Sequence, residues 1–143
     1  MASPRRVIEG HYNQARHNEA VLDYLMEHVI PERPEFADWV LVVMQYAAFH
    51  YTKAKILRDF DADVKIHRSR RGEAGEVEET GHNELVSDCL GEDVGVAYRE
   101  LYFRGQEVRY RPFFKMWSDP AKALQELRLQ KLHLDTIRAA CTP

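Results

Sequence analysis

Apolar positions along this chain recur at three- and four-residue intervals, and nowhere alternate for long enough to describe a strand. Ile8, Tyr12, Ala15, Leu22, Leu25, Met26 and Val29 fall on one face of a helix running from Ile8 to about Ile30, and His11 and Asn18 share that stripe. Pro31 and Pro34 end it, and Pro34 suits the first turn of a second helix, with Glu35 and Asp38 near its positive end. In that helix Phe36, Trp39, Val40, Val43, Ala47, His50, Ala54 and Leu57 form a buried stripe widened by Val42, Tyr46 and Tyr51, which predicts the central helix of a bundle. Residues 59–81 lose all periodicity and hold Gly72, Gly75 and Gly81, so they are expected to form a long loop.

Asn83 is placed to cap a short helix that Gly91 ends. A longer helix from about Glu92 to Tyr110 would bury Val94, Ala97, Tyr98, Leu101 and Val108, with Gly105 admitting a neighbouring backbone, and Arg111-Pro112 would close it. Asp119 caps a last helix with Pro120 at its first position and Leu124, Leu127, Leu134 and Ile137 inside. The pattern predicts an all-α, up-and-down bundle of four to five helices in one domain, with an ordered core over about 8–140.

Composition narrows the class. A chain of 143 residues with 45% apolar and 30% charged residues has the profile of a soluble globular domain. No apolar run approaches the ~20 residues of a membrane span, and the first ten residues lack the apolar centre of a signal peptide, so the expected location is the cytoplasm. Cys89 and Cys141 stand alone without metal-ligand spacing, which predicts reduced thiols and no structural zinc. His11 and His17 lie six residues apart, about 600° of helical turn, so they cannot share a metal with His50; neither a metal nor another cofactor is expected.

Charge is unevenly spread. Lys65, Arg68, Arg70 and Arg71 crowd one stretch, whereas Glu73 to Asp93 holds eight acids and no Lys or Arg. The preferred reading is a mobile, solvated stretch; the alternatives are that its basic part meets phosphate or that Glu73, Glu76, Glu78 and Glu79 fold back and neutralise it. Arg99, Arg104, Arg111 and Lys115 form a second cationic strip, which Glu100 and Glu107 largely offset by pairing along the helix. That balance disfavours general duplex-DNA binding.

The helix Trp39 to Ala54, with its Tyr46-Ala-Ala-Phe-His50 centre, is followed by His67, by His82-Asn83, and by Tyr98-x-x-Leu101 leading to Val108-Arg109-Tyr110. This succession resembles the HEPN (higher eukaryotes and prokaryotes nucleotide-binding) superfamily, and is most similar to its small stand-alone prokaryotic members. The resemblance implies a helical bundle that dimerises through two of its helices. It also implies association with RNA or nucleotides or, alternatively, a regulatory or structural role beside a partner protein, as in toxin-antitoxin or defence systems. In ribonuclease members an arginine and a histidine with four to six residues between them act across the dimer and promote attack by the ribose 2′-hydroxyl without metal.

Arginine precedes histidine at such spacing at Arg5 and Arg6 before His11 and at Arg128 before His133. With fourteen arginines and seven histidines, about two such matches arise by chance, and Leu129 replaces the small polar residue that usually follows the arginine. Arg128 and His133 are thus the candidate catalytic pair of a diverged endoribonuclease, while the leading expectation is a protein without that pair. The candidate nucleic-acid-binding residues are His67, Arg68, Arg70, Arg71, His82, Arg104 and Arg109. Tyr98, Tyr102 and Tyr110 would supply stacking surfaces. Arg109 has a structural reading too, as a packing arginine held among Tyr98 and Tyr102.

Overall fold

A computed structural model of the chain describes residues 3–110 and 119–143. The first helix, α1 (Pro4–Tyr24), starts where Ser3 accepts a hydrogen bond from the Arg6 amide and Pro4 supplies a pre-set φ. It runs into a π-turn (Leu25–Val29), so the helix predicted to about Ile30 is continuous but widens in its last turn. A 3-10 turn at Pro34–Phe36 leads into α2 (Ala37–Phe60), which ends at Asp61 in the left-handed region. After a loop come a minimal antiparallel hairpin, β1 (Arg70–Arg71) and β2 (Val77–Glu79), then α3 (His82–Leu90), α4 (Glu92–Tyr110) and α5 (Pro120–Cys141). The described residues form an all-α bundle of five helices, and the end of α4 predicted at Arg111-Pro112 lies outside them.

α2 is the central helix. It packs against α1, α4 and α5 and, less extensively, α3. Its middle is buried nearly all round, with Val40, Leu41, Met44, Ala47, Ala48, Tyr51, Ala54 and Ile56 in the core, where they meet Leu22 of α1, Tyr98 and Leu101 of α4, and Leu127, Leu134 and Ile137 of α5. Burying those side chains stabilises the bundle by roughly 1.5–3 kcal/mol for each large residue. Polar ties fix the order of the helices: the Tyr12 hydroxyl donates to the Cys141 carbonyl at 2.7 Å, and Arg138 of α5 pairs with the buried Glu19 of α1 at 2.6 Å. The Asp119 carboxylate accepts from the Ala121 amide, as a cap residue before Pro120 should. Among the described residues no helix is long and apolar enough to cross a membrane.

Three expectations need correction. Trp39, Phe36 and Tyr46 were assigned to the buried stripe but are exposed, Trp39 by 60%, because helix periodicity marks an apolar face without saying what covers it. Asn83 does not cap α3: Gly81 is the N-cap, and the first amides of the helix, from His82 and Asn83, donate at 2.8 Å to the carbonyls of Ile66 and His67. The loop backbone does the capping, and a Cβ at Gly81 would collide with the His67 carbonyl oxygen and the Ser69 amide. The segment expected to be a loop without strands contains the hairpin, closed through Gly75 in the left-handed region.

Candidate functional site: a histidine cluster around Phe49

Four of the seven histidines converge on one aromatic ring. Phe49 of α2 meets His11 of α1 at 6.4 Å between ring centroids, and His50, His67 and His82 at 5.2 to 5.3 Å, each in an edge-on arrangement. α4 closes the far side, with Tyr98 at 5.5 Å from His82 and Tyr102 at 5.7 Å from His67. Two features of the fold create this meeting. His11 and His50 occupy facing positions where α1 and α2 pack, and the capping of α3 by the Ile66 and His67 carbonyls brings the loop over α2. His17, His28 and His133 stay away from it.

The rings differ in depth and in chemistry. His67 is exposed, His11, His50 and Phe49 are half-buried, and His82 is 1% exposed. The His11 and His50 Nδ1 atoms lie 2.9 Å apart, so one ring donates its Nδ1 proton to the lone pair of the other. His82 Nε2 is 2.8 Å from the Thr52 hydroxyl, which itself reaches the Ala48 and Phe49 carbonyls. The hydroxyl proton goes to a carbonyl, so Thr52 accepts from His82 Nε2–H; this leaves Nδ1 as a buried acceptor with no partner, whereas the other tautomer would strand a buried N–H, the rarer defect. The Tyr98 hydroxyl is also buried without a partner among the described residues.

Beneath the rings, Lys53 is almost wholly buried, holding Asp63 and donating to the Val64 carbonyl, each at 2.6 Å. Burial is the main force keeping all four imidazoles neutral. It acts almost alone on His50, pushed down to about 4 with a small contribution from His11, and with Lys53, His67 and His11 it takes His82 to about 3. His11 is lowered by burial and then Lys53, and His67 by burial and then Arg109 and Lys53. The Asp63 carboxylate compensates most of the Lys53 charge, and Asp63 acts on His11 in the opposite sense to Lys53. Among the described residues no three His, Cys, Asp or Glu side chains are arranged so that they could hold one metal ion.

The residues singled out in the sequence are only partly brought together. His67 and His82 join the cluster. The basic hairpin does not stand free: Arg70 lies 3.5 Å from Glu79, and Arg71 pairs with Glu84 at 2.7 Å while donating to the Gly75 carbonyl. Both strands are exposed throughout, so the hairpin is solvated, and Glu79 and Glu84 of α3 offset part of its positive charge. Arg68 is exposed and has no acid partner among the described residues. Arg104 is shared between Glu107 and Glu126 at 3.4 and 3.5 Å. Arg99 pairs with Glu92 and not along the strip, while Arg111 and Lys115 lie outside the described residues. Arg128 is exposed and His133 half-buried on α5, with no hydrogen bond between them; five residues of helix turn them roughly 140° apart.

Arg109 is a packing residue, but with partners other than those expected. It donates to the Tyr46 hydroxyl at 2.9 Å, to Gln45 Oε1 at 3.1 Å and to the Gly105 carbonyl at 3.3 Å, and its guanidinium lies over Tyr46 and Tyr110. Gly105 admits the Gln45 side chain, which a Cβ there would meet, in place of the neighbouring backbone expected. With Asp38, Trp39, Val42 and Val108, Arg109 lines a small cleft of about 140 Å³.

The sequence reading missed the pairing of His11 with His50 and the parts of Phe49 and Lys53. The available signal was the presence of both His11 and His50 on apolar stripes. Comparison of the chain with protein-family models gives no match, and comparison with curated proteins gives none either.

Proposed function

We propose that the histidine cluster binds a phosphate-bearing ligand of the RNA or nucleotide class, in a cytoplasmic HEPN-like protein that does not use Arg128 and His133 for catalysis. The observation that carries this reading is the convergence of His11, His50 and His67 on Phe49, with His67 exposed and Phe49 half-buried. Exposed His67 and half-buried Phe49 offer stacking surface to a base, which contributes about 1–3 kcal/mol per base in single-stranded complexes. The neutral imidazoles beside a lysine offer hydrogen bonds and a proton-accepting site to phosphate. The expected result is that AMP or a short single-stranded RNA binds the wild type, that Phe49→Leu and His67→Ala each weaken binding about five- to a hundredfold, and that Arg128→Ala leaves it unchanged. Equal binding by all four proteins, measured by calorimetry, would remove the reading.

A second reading, assembly through a protein surface, is favoured by the aromatics exposed beside Arg109: Trp39 and Tyr46 seven residues apart on α2, and Phe103 and Tyr110 seven apart on α4. Two adjacent helices with matching stripes suit an isologous contact with a second copy of the chain. A homodimer is expected, and light scattering that gives the 16.7 kDa chain mass at every concentration would contradict it.

A further inference from the structure

We propose that Lys53 is a positioning residue of the base-stacking site: it clamps the loop after α2 so that the His67 ring stays seated against Phe49, an inference that rests on the function proposed above. Among the described residues the His67 imidazole makes ring contacts, with Phe49 at 5.3 Å and Tyr102 at 5.7 Å, but no hydrogen bond. Its place is therefore set by its backbone. Towards α3, the His82 and Asn83 amides donate to the Ile66 and His67 carbonyls at 2.8 Å, and the Gly81 amide donates to Ser69 Oγ at 2.9 Å. α3 packs mainly on α4 and only lightly on α2, so these bonds seat His67 relative to Tyr102. They do not by themselves fix its distance from Phe49.

The tie to α2 is Lys53. It stands one helical turn after Phe49, 5% exposed, and its ammonium meets the loop at the Asp63 carboxylate and the Val64 carbonyl, each at 2.6 Å. α2 thus grips the loop twice: through the Phe49 ring at His67, and through the Lys53 ammonium three residues earlier at Val64. Thr52, the neighbouring residue, accepts from His82 and so holds α3, not the loop. Burying an ammonium costs free energy that pairing with Asp63 offsets, and an apolar residue of the same length would fill the space without that cost. What it would lack is a hold on the loop. Hydrogen bonds from Lys53 and then Lys65 hold the Asp63 carboxyl down to about 2, so the clamp keeps its charge through the neutral and mildly acid range. A base bound against His67 and Phe49 meets the two rings at the spacing this clamp sets. A ring that swings with an unheld loop must be ordered on binding, which weakens the stacking it offers.

The test is a double-mutant cycle on the full chain, with AMP affinity measured by calorimetry well below the melting temperature of each variant. Lys53→Met keeps the length of the buried stem and strands no buried charge, since Asp63 is partly exposed and keeps Lys65. It should weaken AMP binding about three- to twentyfold in the wild-type background. In the His67→Ala background it should cost less than about twofold more, because the ring it positions is gone. An equal loss in both backgrounds, as a direct charge effect on the phosphate or a general loosening of the fold would give, overturns the proposal. Full affinity in Lys53→Met overturns it too. Should Lys53→Met not fold, Asp63→Ala, which removes one of the two anchors from the exposed side, is judged by the same criteria. Proton NMR of the free protein separates the clamp from the function it rests on: contacts between the His67 and Phe49 rings should be present in the wild type and weaken in Lys53→Met, while those between His67 and Tyr102 persist. Unchanged His67–Phe49 contacts in that variant overturn the clamp and leave the proposed function standing. If neither AMP nor single-stranded RNA binds the wild type, the proposed function falls, and the positioning role falls with it.

Discussion

Acidification from pH 7 to 4.5 is expected to remove about 2 kcal/mol of folding stability through His82 alone. An imidazole whose folded pKa lies below its unfolded value binds fewer protons when folded, so stability falls as pH drops through the unfolded value of about 6.5 and levels near the folded one. For His82 that folded value is about 3, set first by burial and then by Lys53, so the loss spans most of the acid range. His50 and His11 add to it in the same direction, less strongly because water reaches them. In denaturant titrations His82→Gln should start less stable at pH 7, since Thr52 loses its imidazole partner, yet lose less between pH 7 and 4.5 than the wild type. An identical pH dependence in the two proteins would show that His82 is not the buried neutral group described.

Arg109→Ala is expected to destabilise the protein by about 1–3 kcal/mol, because it strands Gln45 Oε1, which is buried, and removes the tie between α2 and α4. Arg109→Lys should recover little, since one ammonium cannot reach Gln45, Tyr46 and the Gly105 carbonyl in the guanidinium's fork. Ligand affinity measured well below the melting temperature should change much less than in His67→Ala. A variant that melts with the wild type but fails to bind would reassign Arg109 to the ligand.

The helices were legible in the sequence because their determinants are local. Pro34, Gly91, Asp119 and Pro120 act within a turn of where they stand, and apolar spacing fixes which face of α5 turns inward, whereas α1 begins at Pro4 after the Ser3 cap, a turn before the expected Ile8. The α3 cap was not legible, since its acceptors are carbonyls from a loop sixteen residues before the amides they accept from, chosen by backbone approach at Gly81 and not by residue type. Two-residue strands carry no period, so the hairpin was invisible. The site was half legible. His67 and His82 were identified as members of a histidine-bearing stretch, whereas the His11–His50 pair joins residues 39 apart whose meeting depends on how α1 crosses α2. The arginines were legible where their partner is near in sequence, as with Arg104 and Glu107, and not where it comes from another element, as with Arg71 and Glu84 or Arg104 and Glu126.

The most direct test of the proposed site is to follow all seven histidine side chains by NMR while AMP is added. The account predicts that the His11, His50 and His67 resonances move together and saturate with one binding constant, His82 responds less, and His17, His28 and His133 stay in place. Shifts centred on His133, or none at the Phe49 cluster while AMP is bound, would contradict it.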